Sequence, residues 1–243
     1  MNTPRRLAAL VLLSLAGPAL AYIPPATTVL RETAKHRDET QPASVEARGT
    51  IQIGEAVPLP AVLWVKSPGR CRMEVALPAD APAKQAVVVV RNGRIASARA
   101  AETVPQAVAI AEAACALLAG PRGDGADRGI AQALAQRGVA VGPVVLGHLG
   151  PRIAWVLGGK ASGSQPQAWI DKQELRPMRL VADLGGARRD VRLLDWPAPP
   201  DAATPKAPPA FPRRIEVHSG DALEALFAVD RAIPNPRVPD SMF

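Results

Sequence analysis

Apolar and polar residues alternate along much of this chain. In the stretch LWVKSPGRCRMEV, Leu63 and Val65 alternate before a Pro-Gly turn, and Cys71, Met73 and Val75 alternate after it. Period-two alternation on both sides of such a turn predicts a β-hairpin with one apolar face. The same reading predicts extended segments at 48–53, 61–66 and 71–77, and a second hairpin, 86–91 with 94–98, turning on Asn92-Gly93. Six more follow at 139–146, 152–157, 167–171, 176–183, 188–195 and 213–217, with a turn at Leu184-Gly185-Gly186-Ala187.

Helical spacing appears in three places. Residues 27–39 put Val29, Leu30, Thr33 and Ala34 on one side. A second helix is bounded by Thr103 as its cap, Pro105 in its first turn and Gly120 at its end. On it Val104, Val108, Ala111, Cys115 and Leu118 make one stripe, and Ile110, Ala114 and Leu117 make another. Its only charges are Glu102 and Glu112. A helix apolar over so much of its circumference needs burial on more than one side. The third runs over 127–137, with Ile130 and Leu134 facing one way and Gly138 as a stop. Strands, two helices, then strands again predict a mainly β (α+β) chain. Its expected form is an incomplete antiparallel β-barrel, a half-barrel of about ten strands curled around helices.

The N-terminus is set apart from this pattern. Arg5-Arg6, the apolar run 7–17 and Ala19-Leu20-Ala21 have the layout of a cleavable signal peptide, residues 1–21. The run is too short to span a bilayer, and no Cys stands at the cleavage point to carry a lipid anchor. A soluble exported protein is expected, most simply in a bacterial periplasm, with 22–243 as one domain. Cleavage takes the formal charge from +7 to +5, because Arg5 and Arg6 leave with the segment. The remaining arginines are scattered, and the whole chain has only eight aromatic residues, so the basic stripe and stacking platforms of a nucleic-acid protein are missing. Residues 197–210 hold six prolines and are expected as a surface loop.

The opening hairpin resembles the periplasmic lipoprotein carrier family LolA. In that family a strand ending Leu-Trp-Val-Lys-Arg-Pro leads through a turn into an apolar strand. Leu63-Trp64-Val65-Lys66-Ser67-Pro68 matches it at every place but one. Trp169-Ile170-Asp171-Lys172, Arg176-Pro177-Met178-Arg179-Leu180 and Phe211-Pro212-Arg213-Arg214-Ile215-Glu216-Val217 look like further pieces of the same superfamily. The resemblance implies helices as a lid or plug over an apolar cavity that shields the acyl chains of lipoproteins or other lipids. It also implies a monomer that meets an inner-membrane lipoprotein-releasing transporter and an outer-membrane acceptor. Two positions depart from the family. Ser67 replaces an inward Arg that helps latch the lid, and Cys71 replaces an aromatic residue. A serine cannot make a guanidinium's several hydrogen bonds, so a latch here must be weaker or lie elsewhere.

On this reading Leu63, Val65, Ser67, Cys71, Met73 and Val75 share the concave face, with Val108, Ala111 and Leu118 opposite them as the lining of the cavity. An ordinary core explains the same apolar residues equally well. Cys71 and Cys115 are the only cysteines, and both face inward by periodicity. In an oxidising compartment a sheet-to-helix disulfide is expected; two packed thiols are the alternative. No catalytic site, cofactor or metal is expected: His36, His148 and His218 have no spaced ligand partners, and there is no G-x-S-x-G elbow. The function expected is that of a non-enzymatic carrier moving lipoproteins toward the outer membrane. The alternative is an envelope sensor or scaffold on the same fold, binding a protein or a mislocalised lipoprotein.

Overall fold

The computed structural model describes residues 23–160, 165–197 and 210–243. The expected signal segment and all but the two end residues of the expected proline-rich loop lie outside the described residues.

Twelve strands form one antiparallel sheet. They are β1 Ser44–Ile53, β2 Leu59–Lys66, β3 Arg70–Ala76, β4 Gln85–Arg91, β5 Arg94–Arg99, β6 Val144–Leu149, β7 Arg152–Leu157, β8 Gln167–Asp171, β9 Pro177–Leu184, β10 Ala187–Leu194, β11 Arg214–Ser219 and β12 Ala222–Pro234. The order across the sheet is β5-β4-β3-β2-β1-β12-β11-β10-β9-β8-β7-β6. β5 and β6, its two ends, do not pair, so the barrel stays open. The helices are α1 Ala26–Thr40, α2 Pro105–Leu118 and α3 Ala126–Ala135.

The incomplete barrel expected from the sequence is therefore present, with twelve strands rather than about ten. The strand not foreseen is β12. Its segment Ala222-Leu223-Glu224-Ala225-Leu226-Phe227-Ala228 is rich in helix formers. Pairing with β1 on one side and β11 on the other overrides that preference and buries Ala225, Phe227 and Val229. The β1–β12 register shifts between Arg48 and Gly49. At Gly49 a Cβ would lie 1.8 Å from the Ala228 carbonyl oxygen, so only glycine fits this crossing.

Two boundaries differ from expectation. Residues 139–143 do not join β6; the Val139 N–H bonds back to Leu134 O at 3.1 Å and closes α3 instead. Thr103 does not cap α2. It belongs to a short 3-10 turn, Ala101–Thr103, and its hydroxyl donates to Ala100 O at 2.6 Å. Val104 stands at the cap position and Pro105 begins the helix, where its missing N–H costs nothing. The Asn92-Gly93 turn is as expected, with φ of 48° and 76°.

The main core lies between the concave face of the sheet and α2, with α1 and α3 completing it. Smaller clusters sit on the outer face. Ala154, Val156, Trp169 and Met178 form one. Val87, Val89 and Phe243 form another, where the end of the chain folds back over β2–β4 and Trp64. That cover explains why β4, with four consecutive valines, is buried on both faces.

Candidate functional site

Leu63, Val65, Cys71, Met73 and Val75 line the concave face, and Val108, Ala111 and Leu118 meet it from α2; all eight are buried in one cluster. Ser67 lies past the end of β2, half-buried in the turn, with its N–H donating to Ala43 O at 2.9 Å. α2 fills the concavity. Every residue from Ala107 to Leu118 is buried, as expected for a helix wetted on no side. The many alanines let the helix backbone come close to the strands.

One charge goes inside with this helix. Glu112 is buried, and a lone buried carboxylate is costly unless partners satisfy it. Arg137 Nη1, just past α3, donates to Glu112 Oε1 at 2.7 Å. The Gly185 N–H, in the β9–β10 turn, donates to Glu112 Oε2 at 2.7 Å. Arg137 Nη2 donates in turn to Gly93 O, in the β4–β5 turn, at 2.9 Å. The carboxylate thus ties the plugging helix to α3 and, directly or through Arg137, to turns on both arms of the open sheet. None of these bonds involves Ser67. The sequence marks Glu112 only as one of two charges on an apolar helix. A lone carboxylate on a helix buried all round is itself the signal that a partner must exist.

A second tie lies at the other end of α2. The Gly69 N–H donates to Ala119 O at 2.6 Å, and the Asn92 N–H donates to Gly69 O at 2.7 Å. The β2–β3 and β4–β5 turns are thereby joined to each other and to the helix end. Beside them opens a cleft of about 370 Å³ between these turns, α2 and α3, bounded by Pro68, Asn92, Cys115, Gly120 and Gln132.

The structure brings Cys71 and Cys115 together, as their periodicity predicts, but holds them as free thiols rather than as the expected bridge. Burial pushes the Cys71 thiol well up, and its hydrogen bond with Cys115 adds to that. Cys115 Sγ also donates to Val90 O at 3.9 Å. A buried thiol held neutral, as Cys71 is, is a poor nucleophile.

An open antiparallel half-barrel plugged by an apolar helix is the class of structure these residues define. No protein-family model matches the chain, and no curated protein matches it. Among solved structures it is similar to a LolA superfamily protein from Nitrosomonas europaea, with a TM-score of 0.48 at 10% identity over 91% of this chain and 98% of that one. It is also similar to a putative outer membrane lipoprotein-sorting protein domain from Vibrio parahaemolyticus, with a TM-score of 0.48 at 10% identity over 88% and 94% of the two chains. A DUF1329 family protein from Desulfovibrio piger gives 0.48 at 11% identity over 90% and 95%.

Proposed function

We propose that this protein is a non-enzymatic periplasmic carrier that shelters the acyl chains of lipoproteins or other lipids between the concave sheet and α2. The observation that carries the reading is α2 itself. It is buried all round, yet it is held by the Glu112 carboxylate and one backbone hydrogen bond at its end rather than built into the sheet. Withdrawing it would expose Leu63, Val65, Met73 and Val75 on one wall and leave Val108, Ala111 and Leu118 facing them. Each methylene then transferred from water to that surface contributes about 0.8 kcal/mol. A releasing transporter at the inner membrane and an acceptor at the outer membrane are the partners this reading requires.

The reading includes an oxidised form. Cys71 and Cys115, already in contact, would lose two protons and two electrons to a periplasmic oxidant and close a bridge from β3 to α2. Such a bridge adds about 4 kcal/mol in the chain-entropy account and would replace the missing hairpin latch. A second reading, an envelope sensor or scaffold, is favoured by one observation: α2 already occupies the concavity.

Native mass spectrometry of the protein purified from a periplasm decides between them. Copurified lipid of stoichiometric amount supports the carrier. Bare protein that also fails to take up a fluorescent fatty acid overturns it.

A further inference from the structure

β5 forms one end of the sheet, and all six of its residues are exposed. It pairs with β4 on one side; on the other, no described residue bonds to its backbone. An edge left this way carries a row of unused N–H and C=O groups that another strand can take up. Charge commonly blunts such an edge, and here Arg94 and Arg99 stand at the two ends of the strand. Both lie on the outer face. Arg94 is opposite Arg91 and Arg99 is opposite Val87, because the register shift between Val89 and Val90 keeps the two arginines on one side although they are five residues apart. Ile95, opposite the core residue Val90, is on the other face and is 46% exposed.

The charge along this rim is one-sided. Lys66, Arg70, Arg91 and Arg94 form a single cross-strand row over β2, β3, β4 and β5. Like charges placed directly opposite one another are destabilising. At the β2–β3 end an acid relieves them: Asp240 Oδ1 accepts from Lys66 Nζ at 2.6 Å and lies 2.5 Å from Arg70 Nη1. At the β4–β5 end none does. Arg91, Arg94 and Arg99 form no ion pair among the described residues, and Glu102, three residues past Arg99, pairs with none of them. Asp240 shows what this row accepts, a carboxylate carried by a segment outside the sheet. The next place in the same row, beyond Arg94, is open. A second copy of β5 does not suit it, since that would set arginines beside arginines. A lipid surface would answer the charge and leave the backbone edge unused. A strand with acidic side chains toward Arg94 and Arg99 and an apolar one toward Ile95 answers all three features.

We propose that the free edge of β5 docks an extended segment of a partner protein, alternating acidic and apolar residues, which adds to the sheet as a further strand. The edge lies on the rim of the half-barrel, so the proposal stands or falls independently of what the concave interior holds.

The test titrates the full-length protein with an end-blocked eight-residue peptide alternating Glu and Val, with the same peptide carrying Lys in place of Glu, and with phosphatidylglycerol vesicles, following backbone amides by NMR. The expected result is a saturable movement of the β5 amides with the acidic peptide, at least tenfold tighter than with the basic one, and at least tenfold slower hydrogen exchange in β5 at saturation. The double change Arg94→Glu with Arg99→Glu should reverse the preference between the two peptides. If that variant fails to fold, the two peptides on the wild-type protein decide. Equal binding of the two peptides, no movement of the β5 amides at millimolar acidic peptide, or an unreversed preference in the folded double variant overturns the proposal. So does movement of these amides with the vesicles and not with the peptide, which would assign the edge to a membrane surface.

Discussion

Glu112 and Arg137 form a 2.7 Å ion pair in which both side chains are more than nine-tenths buried. The pair joins the helix that fills the half-barrel to the loop that follows α3. Breaking a buried pair by removing one partner leaves an uncompensated charge and costs about 3–5 kcal/mol. Arg137→Ala should therefore lower the stability read by urea unfolding by that amount. The double change Glu112→Leu with Arg137→Met removes both charges and should recover part of the loss. It should still speed hydrogen exchange in α2, because the ties to Gly93 and Gly185 are gone. Exchange as slow as in the wild type would mean that packing alone holds the helix.

The interior assignment predicts a difference between two faces. Met73→Glu and Val75→Glu place a carboxylate against α2 and should weaken uptake of a fluorescent fatty acid at least tenfold. Arg94→Glu, on the exposed edge strand β5, should leave uptake unchanged. Arg179 is a poorer control, because it holds Asp190 at 2.8 Å and covers the Trp169 ring at 4.7 Å. Circular dichroism checks that each variant is folded.

For the thiols the outcome depends on compartment. Protein made under reducing conditions should resist alkylation at pH 8 while folded and show two reactive thiols once unfolded. Protein recovered from an oxidising compartment should show none without reductant, and its Cys71→Ala variant should exchange α2 amides faster. The raised Cys71 pKa also carries a pH sign. The folded state holds the neutral thiol, so the stability this contributes is complete below the ordinary thiol value near 9 and is lost as pH rises above it. Thermal unfolding of reduced protein from pH 8 to 11 should show the decline, and Cys71→Ala should flatten it.

At the other end of the chain, Asp240 Oδ1 accepts from Lys66 Nζ at 2.6 Å and lies 2.5 Å from Arg70 Nη1. Hydrogen bonds from these two cations hold its carboxyl down to about 2. The carboxylate clasp is complete above the usual value of 3.8 and fails as pH falls through about 2. Release of the terminal segment should uncover Trp64, whose fluorescence should change over that window. Asp240→Asn should show the change already at neutral pH.

Much of this architecture was legible because alternation and turn chemistry are local. The Pro68-Gly69 and Asn92-Gly93 hairpins, the two ends of β7 and β8, and the all-round burial of α2 follow from short windows of sequence. β12 was not legible, since its alanines and leucines favour helix and only neighbours far away in the chain make it a strand. The double burial of β4 was hidden for the same reason, since Phe243 covers it from a distance of more than 150 residues. At the site, facing directions came from periodicity, which is why Cys71 meets Cys115. The ties of Glu112 did not, because its partners are Arg137 and Gly185, and no local pattern brings them together.

The pairing of β1 with β12 has a consequence for how the protein comes into being. The first and last strands meet in the middle of the sheet, while its rims, β5 and β6, belong to the middle of the chain. As the polypeptide is made from its N-terminus, β1 to β5 can assemble as one meander and β6 to β11 as another. Nothing in the sheet joins these two panels until the thirteen residues of β12 arrive and pair with both β1 and β11. Closure is a late, long-range event with a large loop entropy, the kind of step that slows folding. A chain truncated before Ala222 would leave β1 and β11 as open edges, two bare templates for aggregation, so the last strand is the weld on which a single molecule depends.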